Sequence, residues 1–187
     1  MDTLTFLSEI IPVQNEKLRR ILEKECLTET FRRGDAINEI GKTDSYVRFL
    51  ITGAVRGYIV DHKGNETTTS FMIHPGDIIA GSRMLDGGPS EIGFIVIQDA
   101  EVFSIPVETI LKRRTQFPEL MDLQMHMLAQ ASLYHWDCRK MLYLKTGQER
   151  YEWFLQHYPG LIDCVPHKDI ASFLNISPVT LSRIRHQ

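Results

Sequence analysis

The sequence predicts an α+β chain: a roll of short β-strands, one long helix, and a small helical domain that ends in a helix-turn-helix. Three observations carry this prediction. Between residues 28 and 106, short β-rich runs alternate with Gly or Asp turns. Leu120, Leu123, Met127, Ala131, Tyr134, Cys138 and Met141 recur at intervals of three and four, a near-heptad apolar seam. The stretch from His167 to Gln187 sets a small residue, a turn former and a Ser-Pro helix start in the order of two helices joined by a tight turn.

At the N-terminus, Phe6, Leu7, Ile10, Leu18, Ile21 and Leu22 give residues 4–25 a helical stripe, broken at Pro12. The strand candidates are Val47–Ile51, Ala54–Val60, Glu66–Ile73, Ile92–Ile97 and Val102–Ile105. Arg33-Gly-Asp35, Thr52-Gly53, His62–Asn65 and Pro75-Gly-Asp77 are the turns expected between them. Together they suggest a β-sandwich or barrel-like roll. After Pro106 the pattern turns helical. Thr146-Gly-Gln-Glu149 has the Thr-x-x-Glu form of a capping box and starts a helix to about Gln156, which Tyr158-Pro-Gly160 ends.

The C-terminal pattern is the densest. Ile170, Ala171 and Leu174 make one apolar face of a first helix. Asn175 tolerates the left-handed backbone of a turn. Ser177 is a good N-cap, and Pro178 suits the first helical position. Leu181 and Ile184 face back to the first helix, which leaves Thr180, Arg183 and Arg185 outward. Such a motif presents its second helix to the DNA major groove.

Composition narrows the alternatives. With 187 residues, 43% of them hydrophobic, the chain holds enough apolar side chain for a packed core. The 21 basic and 24 acidic residues exclude a global positive field, so a nucleic-acid surface must be local. Beyond Pro166, Lys168, Arg183 and Arg185 stand against Asp169 alone. Cys26, Cys138 and Cys164 are odd in number and far apart, as expected of reduced thiols in a cytoplasmic protein. No apolar run reaches ~20 residues, and Met1–Thr5 lacks the basic start of a signal peptide, so no membrane contact is expected. There is no GxSxG, P-loop or metal-ligand cluster, so neither catalysis nor a bound metal is expected. An iron–sulfur sensor needs clustered cysteines, whereas Cys26 stands alone; His74, His126 and His135 are haem candidates by residue type only.

The order of roll, seam helix and helix-turn-helix, with Phe31-Arg-Arg-Gly-Asp35, Tyr46–Tyr58, Pro75-Gly-Asp77 and the C-terminal motif, resembles the Crp/Fnr family of bacterial transcription regulators. The resemblance covers nearly the whole chain. It implies a cyclic-nucleotide-binding-like effector domain over 1–116 (a double-stranded β-helix or jelly roll), a dimerisation helix over 117–144 and a DNA-binding domain over 145–187. It further implies a homodimer on double-stranded DNA, with RNA polymerase as a further partner.

Where the resemblance should carry nucleotide chemistry, the chain departs from it. Nucleotide-binding members have Gly-Glu after Gly-Asp, then Arg-Ser or Arg-Thr about ten residues on. Here Gly76-Asp77-Ile-Ile-Ala80 is followed by Gly81, and Glu91-Ile92 stands in place of the Arg-Ser pair. A carboxylate in a phosphate clamp repels the ligand. Leu133 and Tyr134 replace the base-contacting hydroxyl residues of the seam helix. Cyclic AMP is therefore not expected to bind. Gly81-Ser82-Arg83 keeps a small-residue turn, a hydroxyl and a cation near an expected helix start, which suits another small anion.

On the DNA side, Arg183 matches the family's arginine in the second helix. Lys168 and Arg185 are expected phosphate contacts, and Ser177 and Thr180 lie at the reading end. Pro178 and Val179 stand at the helix start where cyclic-AMP-responsive members place Arg and Glu, so a different operator is expected. Family members continue into a β-hairpin wing, whereas this sequence stops at Gln187, which makes a wingless motif or a lost C-terminus the expectation. The seam has two faces. Met121, Met125, Leu128 and His135 are expected to cover the roll, and Leu123, Met127, Ala131 and Tyr134 to meet the partner. The competing reading is a sensory module with a vestigial DNA motif that acts through protein contacts.

Overall fold

The computed structural model describes residues 13–84 and 86–186. The helix expected over residues 4–25 therefore lies partly outside the described residues. Its remainder is α1 (Glu16–Glu25), capped by the Asn15 side chain, which accepts from the Lys17 and Leu18 amides. Six strands follow: β1 (Leu27–Phe31), β2 (Ala36–Asn38), β3 (Tyr46–Val60), β4 (Glu66–Met72), β5 (Ile78–Ile79) and β6 (Gly93–Pro106). They form one sheet in the order β1-β6-β3-β4, with β2 on β6 and β5 on β3. β1 runs antiparallel to β6, from Leu27 opposite Ser104 to Phe31 opposite Ala100.

Two expected breaks are absent. The runs on either side of Thr52-Gly53 form the single strand β3, and the last two runs merge into β6. Gly53 bends its strand instead of ending it. Its φ is +96°, and a Cβ there would fall 2.2 Å from the Asp99 carbonyl oxygen, so only glycine lets β3 lie this close to β6. The other turns are fixed by side chains. Asp77 accepts from the Ile73 and His74 amides at 2.8 Å, and Asp61 from the Lys63 and Asn65 amides at 2.8 and 2.9 Å.

The chain packs as two compact units: residues 1–57 with 71–127, and residues 58–70 with 128–187. One cut falls inside the long helix, and the β3–β4 hairpin joins the C-terminal unit. In the first unit, alternation buries both faces of β3. Val47, Phe49 and Ile51 join Leu18, Leu22, Phe103 and Ile105, while Leu50 and Val55 join Phe94, Val96 and Val102. Each such side chain stabilises the unit by about 1.5–3 kcal/mol. α2 (Val107–Arg113) closes this core.

The long helix α3 (Pro118–Leu144) crosses both units. α4 (Gly147–His157) starts at the expected capping box: the Glu149 amide donates to Thr146 Oγ1 at 3.3 Å, and the Thr146 amide to Glu149 Oε2 at 2.7 Å. A 3-10 turn (Leu161–Asp163), α5 (His167–Phe173) and α6 (Pro178–Arg185) follow. Phe154, Tyr158 and Phe173 pack ring to ring beneath them. Among the described residues no helix is long and apolar enough to cross a membrane, and no group of acidic, His or Cys side chains has metal-binding geometry.

Over its first half, α3 turns to the roll the stripe expected to meet the partner, whereas Ala131 of that stripe is exposed. Leu120 and Met127 are buried in the core of the first unit and Leu123 packs against it. Met121, Met125, Leu128 and His135, expected to cover the roll, are exposed. A near-heptad repeat marks both stripes alike. The roll side is chosen by which stripe meets Phe103, Ile110 and Phe117.

Candidate nucleic-acid interface and effector cradle

The helix-turn-helix forms as its residues dictate. Ile170, Ala171, Leu174 and Leu181 are fully buried between the two helices. Asn175 turns the chain at φ +51°, and the Ile176 amide donates back to the Ala171 carbonyl at 3.0 Å. Ser177 Oγ accepts from the Thr180 amide at 3.0 Å, and Pro178 opens α6.

Val179, Ser182, Arg183 and His186 are exposed at i, i+3, i+4 and i+7, so they share the outward face of α6. Thr180, expected outward, is half-buried instead, with its hydroxyl on Ser177 Oγ at 2.8 Å; it belongs to the cap. Arg183 and Lys168 are exposed. Arg185 lies on the His167 ring at the start of α5, which fixes its direction. Facing along α6 and contact across the helices bring His167, Ser182 and His186 to this surface as well, which residue type alone does not show.

Arg150 was also invisible in sequence. From α4 its guanidinium donates to Leu142 O at 2.6 Å, in the last turn of α3, and to Lys145 O at 3.0 Å, just past its end. It also reaches Leu174 O at 3.1 Å and Asn175 O at 3.4 Å, in the turn of the motif. One cation thus caps two helix C-termini, where the backbone dipole is negative.

The roll holds the second candidate site. The structure brings Gly81, Ser82, Arg83 and Glu91 together on a turn; a helix expected to start here is absent among the described residues. The Gly81 amide donates to Asp44 Oδ2 at 3.3 Å, the Ser82 amide to Ser90 Oγ at 3.2 Å, and the Glu91 amide to Ser82 Oγ at 2.9 Å. Arg83 is half-exposed and grips Asp86 through Nε at 3.1 Å and Nη2 at 2.7 Å. That pairing raises the arginine pKa and lowers that of Asp86. Leu133 and Tyr134, expected in the same pocket, belong to the other unit. There Leu133 is exposed, and the Tyr134 hydroxyl donates to the Thr69 carbonyl at 3.3 Å and accepts from the Tyr158 hydroxyl at 3.2 Å. Burial raises its phenol pKa.

Asp44 was not singled out in sequence, since its partner Gly81 is 37 residues away. Its carboxylate is also held by Arg48 Nη1 at 2.8 Å and by the Tyr46 amide at 3.2 Å. Arg48 in turn lies 3.7 Å from Glu29, which accepts from Ser104 Oγ.

The cysteines are free. Burial, with a smaller push from Glu25, drives the Cys26 thiol up to about 12. Cys164 is exposed. At pH 8 a maleimide is therefore expected to label Cys164 and to spare Cys26 in the folded protein. Labelling of both at equal rates, read by mass spectrometry, would contradict this burial.

Residues 28–116 match the cyclic nucleotide-binding domain family. No curated protein matches the sequence. Among solved structures, FixK2 from Bradyrhizobium japonicum aligns with a TM-score of 0.74 at 23% identity, over 87% of this chain and 83% of that one. The c-di-GMP-responsive global regulator CLP from Xanthomonas campestris aligns at 0.69 and 13% identity, over 91% and 89%. TTHA1359, a CRP/FNR-family transcriptional regulator from Thermus thermophilus, aligns at 0.68 and 19% identity, over 84% and 83%. Residues 28–116 are thus similar to cyclic nucleotide-binding domains, and the chain shares its fold with these solved regulators.

Proposed function

We propose that this chain is a cytoplasmic, non-enzymatic transcription regulator that binds double-stranded DNA as a homodimer and whose roll does not take cyclic AMP. The observation that carries the reading is the buried seam between α5 and α6 (Ile170, Ala171, Leu174 and Leu181), which leaves Val179, Ser182, Arg183 and His186 on one exposed face. Arg183 reads a base edge, or the phosphate beside it, and Lys168 and Arg185 set register on the backbone. Neighbours of the same fold include a CRP/FNR-family transcriptional regulator and a c-di-GMP-responsive global regulator, so the fold serves signals other than cyclic AMP. The exposed stripe of α3 supplies the dimer face.

Selection from a random DNA pool, followed by gel shift, tests this. A defined two-half-site operator is expected, and Arg183→Ala weakens it by 10-fold or more, about 1–3 kcal/mol per half-site, with no change in unfolding midpoint. Recovery of no preferred sequence would favour the second reading, a sensory module acting through protein contacts. Val179 favours that reading, since it leaves an apolar side chain 76% exposed at the start of α6.

A further inference from the structure

We propose that Asp44 is a built-in counter-ion: its carboxylate occupies the anion position of the Gly81–Ser82 cradle and thereby closes the roll to anionic effectors. This deepens the reading that the roll does not take cyclic AMP and rests on it.

The geometry is that of a bound anion. The Asp44 side chain is 2% exposed. Two backbone amides, Tyr46 and Gly81, and the Arg48 guanidinium converge on it at 3.2, 3.3 and 2.8 Å. These are the donors a phosphate or carboxylate ligand would use: backbone N–H groups with a guanidinium behind them. The next amide, Ser82, is taken by Ser90 Oγ, which also accepts from the Ile92 amide at 3.2 Å and donates to the Ile92 carbonyl at 2.8 Å. The cradle is shaped to its internal occupant as well. A Cβ on Gly81 would stand 3.0 Å from Asp44 Cβ and 3.2 Å from Ser90 Oγ, so a side chain at 81 would press on both and make them give by a few tenths of an ångström.

An external anion would therefore have to expel a buried carboxylate from its arginine. It would also approach Asp86, on Arg83, and Glu91, whose charge Arg83 senses. Asp44 is on this account the residue that determines specificity. The departures from the nucleotide-binding pattern at Gly81 and Glu91 follow a cradle that is already filled.

The test uses the full chain, with inorganic phosphate and cyclic AMP titrated at constant ionic strength over a chloride background. The native unfolding midpoint is expected to stay unchanged with either ligand. Asp44→Ala leaves the Gly81 amide and Arg48 without that partner, and its midpoint should rise by roughly 4 °C or more in saturating phosphate. Arg48→Met in the Asp44→Ala background should abolish the gain. A folded Asp44→Ala that ignores phosphate overturns the inference while leaving the cyclic-AMP reading intact. Saturable binding of cyclic AMP to the native chain overturns both. If Asp44→Ala does not fold, the native Gly81 and Tyr46 amide resonances decide. They should not move with phosphate, and a saturable shift sinks the proposal.

Discussion

Arg150→Ala is expected to lower the unfolding midpoint by roughly 5–15 °C and to abolish operator binding, although Arg150 lies outside the DNA-facing surface. Its guanidinium satisfies carbonyls at Leu142, Lys145, Leu174 and Asn175. A hydrogen bond from a charged donor contributes ~1.5–3 kcal/mol, and a partly buried carbonyl left without a donor costs ~1–3 kcal/mol. Some of these carbonyls regain water on truncation, so about 2–5 kcal/mol is the net expectation. For a chain of this size each 1 kcal/mol shifts the midpoint by ~2–4 °C. Arg150→Lys should recover less than half of the loss, because a single ammonium cannot span both groups of carbonyls as the planar fork does. Unfolding followed by circular dichroism, beside a gel shift, checks both effects. A midpoint within 2 °C of the native value would mean that solvent already satisfies these carbonyls.

What sequence could supply follows from range. The helix-turn-helix is written in neighbours: Ser177 caps through a residue three positions on, and Asn175 turns by its own φ. The capping box at Thr146 is equally local, and it appears where expected. The features that were missed join distant parts of the chain. Asp44 meets Gly81, and Arg150 meets Leu174, only once the chain has folded. Thr52-Gly53 misled for a related reason. Glycine marks a positive φ without saying whether the chain turns or merely bends beside another strand, and here the Asp99 carbonyl decides. Helical period predicts Thr180 outward, yet it half-buries because its hydroxyl joins the Ser177 cap. The cradle was legible as Gly81-Ser82-Arg83 and Glu91, but not that a carboxylate already sits in it.

The facing of α3 over its first half makes the dimer prediction sharp, since each stripe now has its own expected outcome. Met125 is 61% exposed and Leu128 52%, so an aspartate at either site costs the isolated chain little. In a helix pair the same carboxylate would face its own copy across the seam and lose its water, a cost of several kcal/mol per dimer. Met125→Asp combined with Leu128→Asp is therefore expected to keep the native unfolding midpoint within a few degrees. It should sediment near the monomer mass of 21.6 kDa. Its operator affinity should fall by ~10²–10⁴-fold, since a single half-site loses the effective concentration its partner supplied. Met127→Asp should behave in the opposite way. Met127 is 7% exposed in the core with Phe117 and Leu120, so its loss destabilises the roll before it touches association. If Met127→Asp gave a stable monomer while Met125→Asp with Leu128→Asp remained dimeric, the partner would be meeting the other face of α3. A native chain that sediments at the monomer mass at micromolar concentration would remove the homodimer altogether, and with it the contribution a second half-site makes to holding so small a recognition surface on DNA.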